Sequence, residues 1–298
     1  MATDMASIGV VGVGRIGSAL VERLHGRGHR VVAFDVRAGA RATVERAGAR
    51  WATDLSDALR AAEFVITVLP GSPELRALAD TDLPPALSPG TIWIDLTSGS
   101  PELGRACADL AGEHGVAHLD APIAGGAEAV RAGEATAYVG GDDDTVALAA
   151  PVLADFTTAV RHVGPHGAGH LAKLLINFIW FSEVGLVTEA LLLAQRHGLG
   201  AHQMAGVIRG SAADSAFATR HLPALLAGDY LAEFGLDRCV EELAAVEDAA
   251  EAAGTPHPLT SAVTDLYRDA LRRYGATDGE LLAAAWLEER AGSVLGEQ

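Results

Sequence analysis

Lysine is almost missing from this chain. Lys173 is the only one, and every other residue in the combined lysine and arginine count of 22 is arginine. Positive charge is short overall: aspartate and glutamate number 39, the formal net charge is -17 and the pI is near 4.9. No basic run is present that could track phosphates or an anionic membrane, which argues against a nucleic-acid or membrane partner. Cysteine is scarce as well. Cys107 and Cys239 are far apart and lack CxxC or metal spacing, so neither a disulfide framework nor a zinc site is expected, and a reducing cytoplasm fits. The N-terminal "MATDMASIGVVGVG" has an acid where a signal peptide carries its basic region, so no export signal is expected. The apolar stretch 168–195 contains Lys173, Asn177, Glu183 and Glu189, which divide it into pieces too short to span lipid and predict a buried helix. GxSxG, HExxH and P-loop patterns are absent, as are internal repeats and low-complexity segments.

What is present is enough apolar residue for a large core: 298 residues, 49% hydrophobic, with a mean hydropathy of +0.22, predict a soluble protein of two domains. Through residue 164 short β-branched runs alternate with alanine-rich helical runs. The strands are "SIGVVGV", "RVVAFD", "FVITVL", "TIWIDL", "VAHLDA", "ATAYVG" and "AVRHVG". This alternation predicts a doubly wound α/β domain over 1–164, its sheet mostly parallel. After "VGPHGAG" the strand signal vanishes, so 165–298 is expected to be an all-α domain. The acidic "GDDDT" at 141–145 reads as a helix start, where carboxylates favour the positive end of the dipole.

"IGVVGVGRIGSALVERL" places Gly12, Gly14 and Gly17 as GxGxxG between a strand and a helix. Gly12 permits the tight turn, Gly14 lets the backbone approach a pyrophosphate, and Gly17 lets helix pack on strand, so a dinucleotide site is expected. Arg15 and Ile16 lie inside the motif, Arg15 either near the pyrophosphate or facing solvent. Asp35, ending the second strand, stands where an acid accepts from the ribose hydroxyls of NAD and repels the 2'-phosphate of NADP. NAD is therefore favoured, while Arg37 keeps NADP open. The strand ends at Leu69 and Pro70, and at Asp95 followed by Thr97 and Ser98, should line the same cleft. Thr97 and Ser98 read equally as helix caps or as contacts at the nicotinamide and substrate side.

In "GHLAKLLINFIW", Lys173 and Asn177 stand at i and i+4 on one helix face, continued by Trp180 and Phe181. Arginine is effectively always protonated, whereas burial lowers a lysine pKa toward the working range of a general acid. The apolar neighbours Leu171, Leu174, Leu175 and Phe178 predict that burial.

With these motifs in view, the chain resembles the β-hydroxyacid dehydrogenases of the 3-hydroxyisobutyrate dehydrogenase type. The resemblance runs nearly end to end, through "GVGRIG", "DAPIAGGAEAVRAGEATAYVGG" at 120–141, "GAGHLAKLLIN" at 167–177 and "FGLDRCVEEL" at 234–243. It implies a Rossmann domain followed by a helical one, assembled as a homodimer or higher homo-oligomer. It further implies that Lys173 is the acid/base, that Asn177 orients substrate or lysine, and that the turn after Pro122 holds the acid group of a small-molecule substrate. Gly125 and Gly126 independently suit an anion nest, with a bare glycine turn as the competing reading.

Two positions depart from the family. Ala124-Gly125-Gly126 replaces Ser-Gly-Gly and removes a hydroxyl, and Glu241-Glu242 replaces a Lys-Asp pair after Phe234, inverting a charge. Together they admit a larger, neutral or amine-bearing substrate, unless Glu241 is one more solvated helix acid. Trp180 and Glu241 join Thr97 and the glycine turn as expected substrate contacts. Imine reductases share this two-domain plan, but Lys173 speaks against that reading because they usually carry another residue there. A nucleotide-binding module without catalysis would have lost the lysine. His162, His166 and His170 recur every four residues, but Gly164-Pro165 interrupts them, so no metal site is expected.

Overall fold

A computed structural model describes residues 5–81 and 83–296. Residues 1–4, on which the expectation about an export signal partly rests, lie outside the described residues. The strands are β1 Ser7–Val11, β2 Arg30–Phe34, β3 Arg50–Trp51, β4 Phe64–Thr67, β5 Ile92–Asp95, β6 Ala117–Asp120, β7 Ile123–Ala124, β8 Ala135–Gly140 and β9 Thr157–Gly164. Helices α1 Arg15–Gly26, α2 Arg41–Arg46, α3 Leu55–Leu59, α4 Ser72–Ala79, α5 Leu83–Ala86, α6 Pro101–Glu113, α7 Gly126–Ala132 and α8 Asp143–Ala154 alternate with them. Then follow α9 Ala168–Arg196, α10 Ala201–Ile208, α11 Ala216–Arg220, α12 Leu222–Leu226, α13 Leu236–Ala252, α14 Pro258–Tyr274 and α15 Leu282–Ala291. The chain parts into two compact units, Met1–Leu174 and Leu175–Gln298, so the division falls inside α9.

The first unit is the expected doubly wound α/β domain. Its nine-stranded sheet runs β3-β2-β1-β4-β5-β6-β8-β7, with β9 on β8. From β3 to β6 all pairings are parallel. β8 then runs antiparallel to β6 and β7. All seven strand runs read from the sequence are present; β3 and β7 have two residues each, too short to leave a periodic signal. Alternation sends Val10, Ile66 and Ile94 into one core with Leu20 and Leu24 of α1, and Val11, Val65 and Trp93 into another with Leu75 of α4 and Leu103 of α6. Burial on both faces explains why these strands read as unbroken apolar runs. The chain leaves β1 toward β2 on one side and β4 on the other, so the carboxyl ends of β1 and β4 border the crevice where such sheets bind ligands. The acidic cluster starts α8, with Asp142 at its N-cap and Asp143 and Asp144 in its first turn.

The second unit contains helices only among the described residues. Phe181, Val184 and Leu191 of α9 pack with Phe217, Leu225, Leu243 and Tyr267 in its core. Cys107 and Cys239 are free and buried, one in each unit.

The stretch 168–195 forms a helix, as the sequence predicts, and the core helix of a soluble protein passes the same length and composition test as a membrane span. α9 is one continuous helix of 29 residues, apolar and long enough by length and composition to cross a membrane. Lys173, Asn177, Glu183 and Glu189 all lie on this helix and interrupt its apolar run. It is not buried all round: Leu174, Phe181, Val184 and Leu191 are buried, whereas Leu175, Ile179, Leu186 and Leu193 are exposed. A 3.6-residue repeat places these two sets on different faces.

Candidate active site

The glycine motif forms a strand-turn-helix, and each glycine is held for a different reason. Gly12 has φ +96, and a Cβ there would lie 2.1 Å from the Val68 carbonyl oxygen. A Cβ on Gly17 would lie 2.0 Å from the Gly12 oxygen. Both are closed by the protein itself. A Cβ on Gly14, by contrast, would meet only the tip of Arg37 at 4.0 Å. Gly14 is also the N-cap of α1 and supplies no side-chain cap. The open space and the uncapped helix start suit a pyrophosphate. Arg15 is exposed on the first turn, and Ile16 packs against the core.

Asp35 stands at the end of β2, each of its carboxylate oxygens accepting two hydrogen bonds. Oδ2 accepts from Val13 N at 2.8 Å, and Oδ1 accepts from Arg37 N at 2.8 Å. The Arg37 guanidinium adds Nε to Oδ1 at 3.0 Å and a terminal nitrogen to Oδ2 at 2.9 Å. Burial pushes the Asp35 pKa up, but these donors outweigh it and hold the carboxyl below its usual range.

At the next strand ends a buried network links β4, β5 and α9. Trp93 Nε1 donates to the Thr67 hydroxyl at 2.9 Å, and both threonine hydroxyls donate to Asp95 Oδ1, Thr67 at 2.5 Å and Thr97 at 2.7 Å. Thr97 also accepts from Leu69 N at 3.1 Å. Thr97 is 1% exposed, so its hydroxyl ties the two strand ends together, and half-buried Ser98 is the more accessible of the two. Leu69 is half-buried beside Gly12, and Pro70 is exposed.

The start of α9 is fixed to this network. Asp120, at the end of β6, accepts from Gly167 N at 2.8 Å and His170 N at 3.0 Å. A Cβ on Gly169 would lie 2.4 Å from the Asp120 carbonyl oxygen. His170, fully buried, sets Nε2 3.1 Å from Asp95 Oδ2 and Nδ1 3.2 Å from the Ser100 carbonyl. Burial pushes its pKa down, but the Asp95 and Asp120 carboxylates outweigh that and raise it. Lys173 follows His170 by three residues, nearly one turn, so these contacts set where it stands. It is half-buried rather than enclosed as expected, because its stripe of α9 runs between buried Leu174 and exposed Ile176.

One turn further on, Asn177 donates from Nδ2 to Oε2 of Glu242 at 2.6 Å. Sequence reading singled out Glu241, yet Glu242 is the acid at Asn177. The signal lay in α13, whose buried stripe is Leu236, Cys239, Glu242, Leu243 and Val246. Glu241 is instead 2.7 Å from the guanidinium of Arg238, so the expected inverted charge is balanced by a residue that sequence reading passed over. Trp180 packs edge-on against Phe217 and His221, with centroids at 5.8 and 5.4 Å. Ala124 pairs with Thr136 on β8, and Gly125 and Gly126 both adopt positive φ, +111 and +67, leading into α7. Of the three spaced histidines, His170 joins Asp95 and His162 points Nε2 to the Gly141 and Gly164 carbonyls. His166 stacks obliquely on His118.

The class is thus a dinucleotide-fold protein whose catalytic candidates stand on the helix that follows the sheet. Residues 7–164 match the family described as the NAD binding domain of 6-phosphogluconate dehydrogenase, and residues 167–286 match the NAD-binding domain of NADP-dependent 3-hydroxyisobutyrate dehydrogenase. An NAD-dependent L-serine dehydrogenase of Pseudomonas aeruginosa is 30% identical over 90% of this chain and 93% of its own. The structure of Mycobacterium tuberculosis 3-hydroxyisobutyrate dehydrogenase with L-serine superimposes with a TM-score of 0.88 at 29% identity, covering 95% of this chain and 99% of that one. A Pseudomonas sp. imine reductase, at 19% identity, covers 95% and 99% with a TM-score of 0.63 and shares the fold alone. The chain belongs to the 3-hydroxyisobutyrate dehydrogenase family of β-hydroxyacid dehydrogenases, NAD(P)-binding oxidoreductases.

Proposed function

We propose that this protein oxidises a small 3-hydroxy acid, or reduces the matching carbonyl, with Lys173 as general acid/base. The observation that carries the reading is the clamp on α9. Asp120 and His170 pin the helix start to the carboxyl ends of β5 and β6, and the only lysine follows within a turn. A bound dinucleotide supplies a hydride acceptor or donor through its nicotinamide ring. Gly14 and the start of α1 would hold its pyrophosphate and Asp35 its adenosine ribose. NAD is favoured over NADP because Arg37, the cation suited to a 2'-phosphate, already grips Asp35.

On the substrate side, Lys173 exchanges the hydroxyl proton and Asn177 orients the reacting group. The Ala124-Gly125-Gly126 turn receives the acid group on backbone N–H donors, without the hydroxyl its relatives carry. Domains of 1–164 for the nucleotide and 165–298 for substrate and assembly follow from this division of labour. The exposed apolar residues Ile179, Leu186 and Leu193 recur every seventh position on α9 and suit a second copy of the chain, hence a homodimer or higher oligomer. The acidic composition and two unpaired cysteines fit a cytoplasmic enzyme.

The test is cofactor reduction with NAD and NADP across 3-hydroxy acids, including L-serine and 3-hydroxyisobutyrate, alcohols without a carboxylate, and cyclic amines. Turnover with 3-hydroxy acids is expected. Turnover confined to amines would replace this reading with the imine reductase one.

A further inference from the structure

His118 and Asp120 are alternate residues of β6 and so project from the same face of the sheet. His118 is 3% exposed, yet neither of its ring nitrogens has a hydrogen-bond partner. A neutral imidazole carries one donor and one acceptor, and an interior that satisfies neither is unfavourable. His166, in the turn between β9 and α9, likewise has a buried Nδ1 without a partner. The two rings lie 5.9 Å apart between centroids. One nitrogen of each histidine and a carboxylate oxygen of Asp120 all lie within 4.8 Å of one another.

We infer that His118, His166 and Asp120 bind a divalent first-row transition cation, zinc in the first instance, between β6 and the turn that leads into α9. Two imidazoles and one carboxylate, with no thiolate, form a ligand set that suits Zn2+. Tetrahedral zinc, with bonds of about 2.0–2.1 Å, sets its ligand atoms about 3.3 Å apart. Rotation of the partly exposed His166 side chain would close the remaining gap. Each Asp120 oxygen accepts one backbone N–H, Oδ1 from Gly167 and Oδ2 from His170, and a carboxylate oxygen can accept more than one partner.

The surroundings fit as well. The other ring nitrogen of His166, Nε2, faces Asp142 Oδ2 at 3.7 Å, the kind of outer carboxylate that fixes a ligating imidazole. The His118 ring stands edge-on to Trp93 at 4.7 Å, which fixes its plane and keeps water from that side. The His166 side chain is 26% exposed and gives the cation a route in. A fourth position is left for water. Because Asp120 also holds the Gly167 and His170 N–H groups, a cation here would staple β6 to the start of α9, a structural role separate from hydride chemistry.

The experiment strips the full-length protein with a chelator, then measures Zn2+ uptake by equilibrium dialysis and the visible spectrum of the Co2+ form. One equivalent of Zn2+ per chain is expected, with a Co2+ spectrum of tetrahedral type. Both should be lost in His118→Phe and in His166→Ala, and kept in His202→Ala, an exposed histidine elsewhere. His166→Ala changes a partly exposed side chain, so it decides the matter if His118→Phe does not fold. Substoichiometric uptake by the wild type, or binding that survives in His166→Ala, would overturn the site and leave water as the partner of these nitrogens.

Discussion

Asn177 and Glu242 meet across 2.6 Å, amide Nδ2 donating to carboxylate Oε2. Glu242 is 6% exposed, so this bond joins a neutral donor to a buried charged acceptor and fixes which way the amide faces. Glu242→Ala should therefore lower kcat/KM by roughly ten-fold to a hundred-fold, the equivalent of about 1.5–3 kcal/mol, while the KM for dinucleotide stays within about two-fold. Asn177→Asp, which sets two carboxylates against each other, should be worse than Asn177→Ala. Steady-state kinetics on the three variants checks this, and equal activity of Asn177→Ala and wild type would remove the amide from the site.

Lys173→Arg preserves a cation on α9 but replaces the proposed acid/base with a guanidinium that is effectively always protonated. General acid/base catalysis contributes about 10²–10⁴-fold, so kcat should fall by that range while dinucleotide affinity, measured by fluorescence titration, holds. Wild-type turnover in this variant would take Lys173 out of the mechanism.

The fold was legible because its signals are periodic. β1, β2, β4, β5, β6, β8 and β9 each announce themselves by β-branched runs, and Gly12, Gly14 and Gly17 by their spacing between a strand and a helix. What escaped were facts of partnership. The sequence shows Glu241 and Glu242 side by side, and only the helical phase of α13 decides that Glu242 joins Asn177 while Glu241 turns to Arg238. Asp120 looked like part of a family motif, but its work of holding Gly167 N and His170 N depends on strand and helix meeting across 47 and 50 residues. Asn177 carried a signal that went unread: it is the only asparagine in the chain, just as Lys173 is the only lysine.

Asp35→Ala should weaken NAD more than NADP, because it removes the ribose acceptor and releases Arg37 for a 2'-phosphate. Stability should also respond to pH. The folded carboxyl titrates below its usual range, so its contribution is fully present above the unfolded value of about 3.9 and is lost as pH falls through the lower folded value. Urea melts of wild type and Asp35→Ala should therefore differ by a constant amount above pH ~5 and converge as acid is added. Equal losses of NAD and NADP affinity would show that Asp35 does not read the ribose.

The last prediction concerns Ala124 and Glu241. If the turn after Pro122 receives the substrate's acid group, Ala124→Ser adds one hydroxyl donor at almost no change in volume, on a residue already fixed by pairing with Thr136. A regained charge-assisted hydrogen bond is worth about 1.5–3 kcal/mol, so kcat/KM for 3-hydroxy acids should rise roughly ten-fold to a hundred-fold over that for the matching alcohols without a carboxylate. Restoring the family's cation is a different matter. Glu241→Lys alone would set a second cation against Arg238, whose guanidinium now lies 2.7 Å from the glutamate. Like charges so placed on a helix repel, so Glu241→Lys by itself should not help and should cost a few tenths of a kcal/mol in stability. Combined with Arg238→Gln, which removes the clash, it should recover that stability, and any gain in preference for acids is then carried by Ala124→Ser. The ratio of kcat/KM between acid and non-acid substrates reads this directly. A folded, dinucleotide-binding Ala124→Ser variant with an unchanged ratio would mean that the acid group is held elsewhere and that this turn does not set specificity.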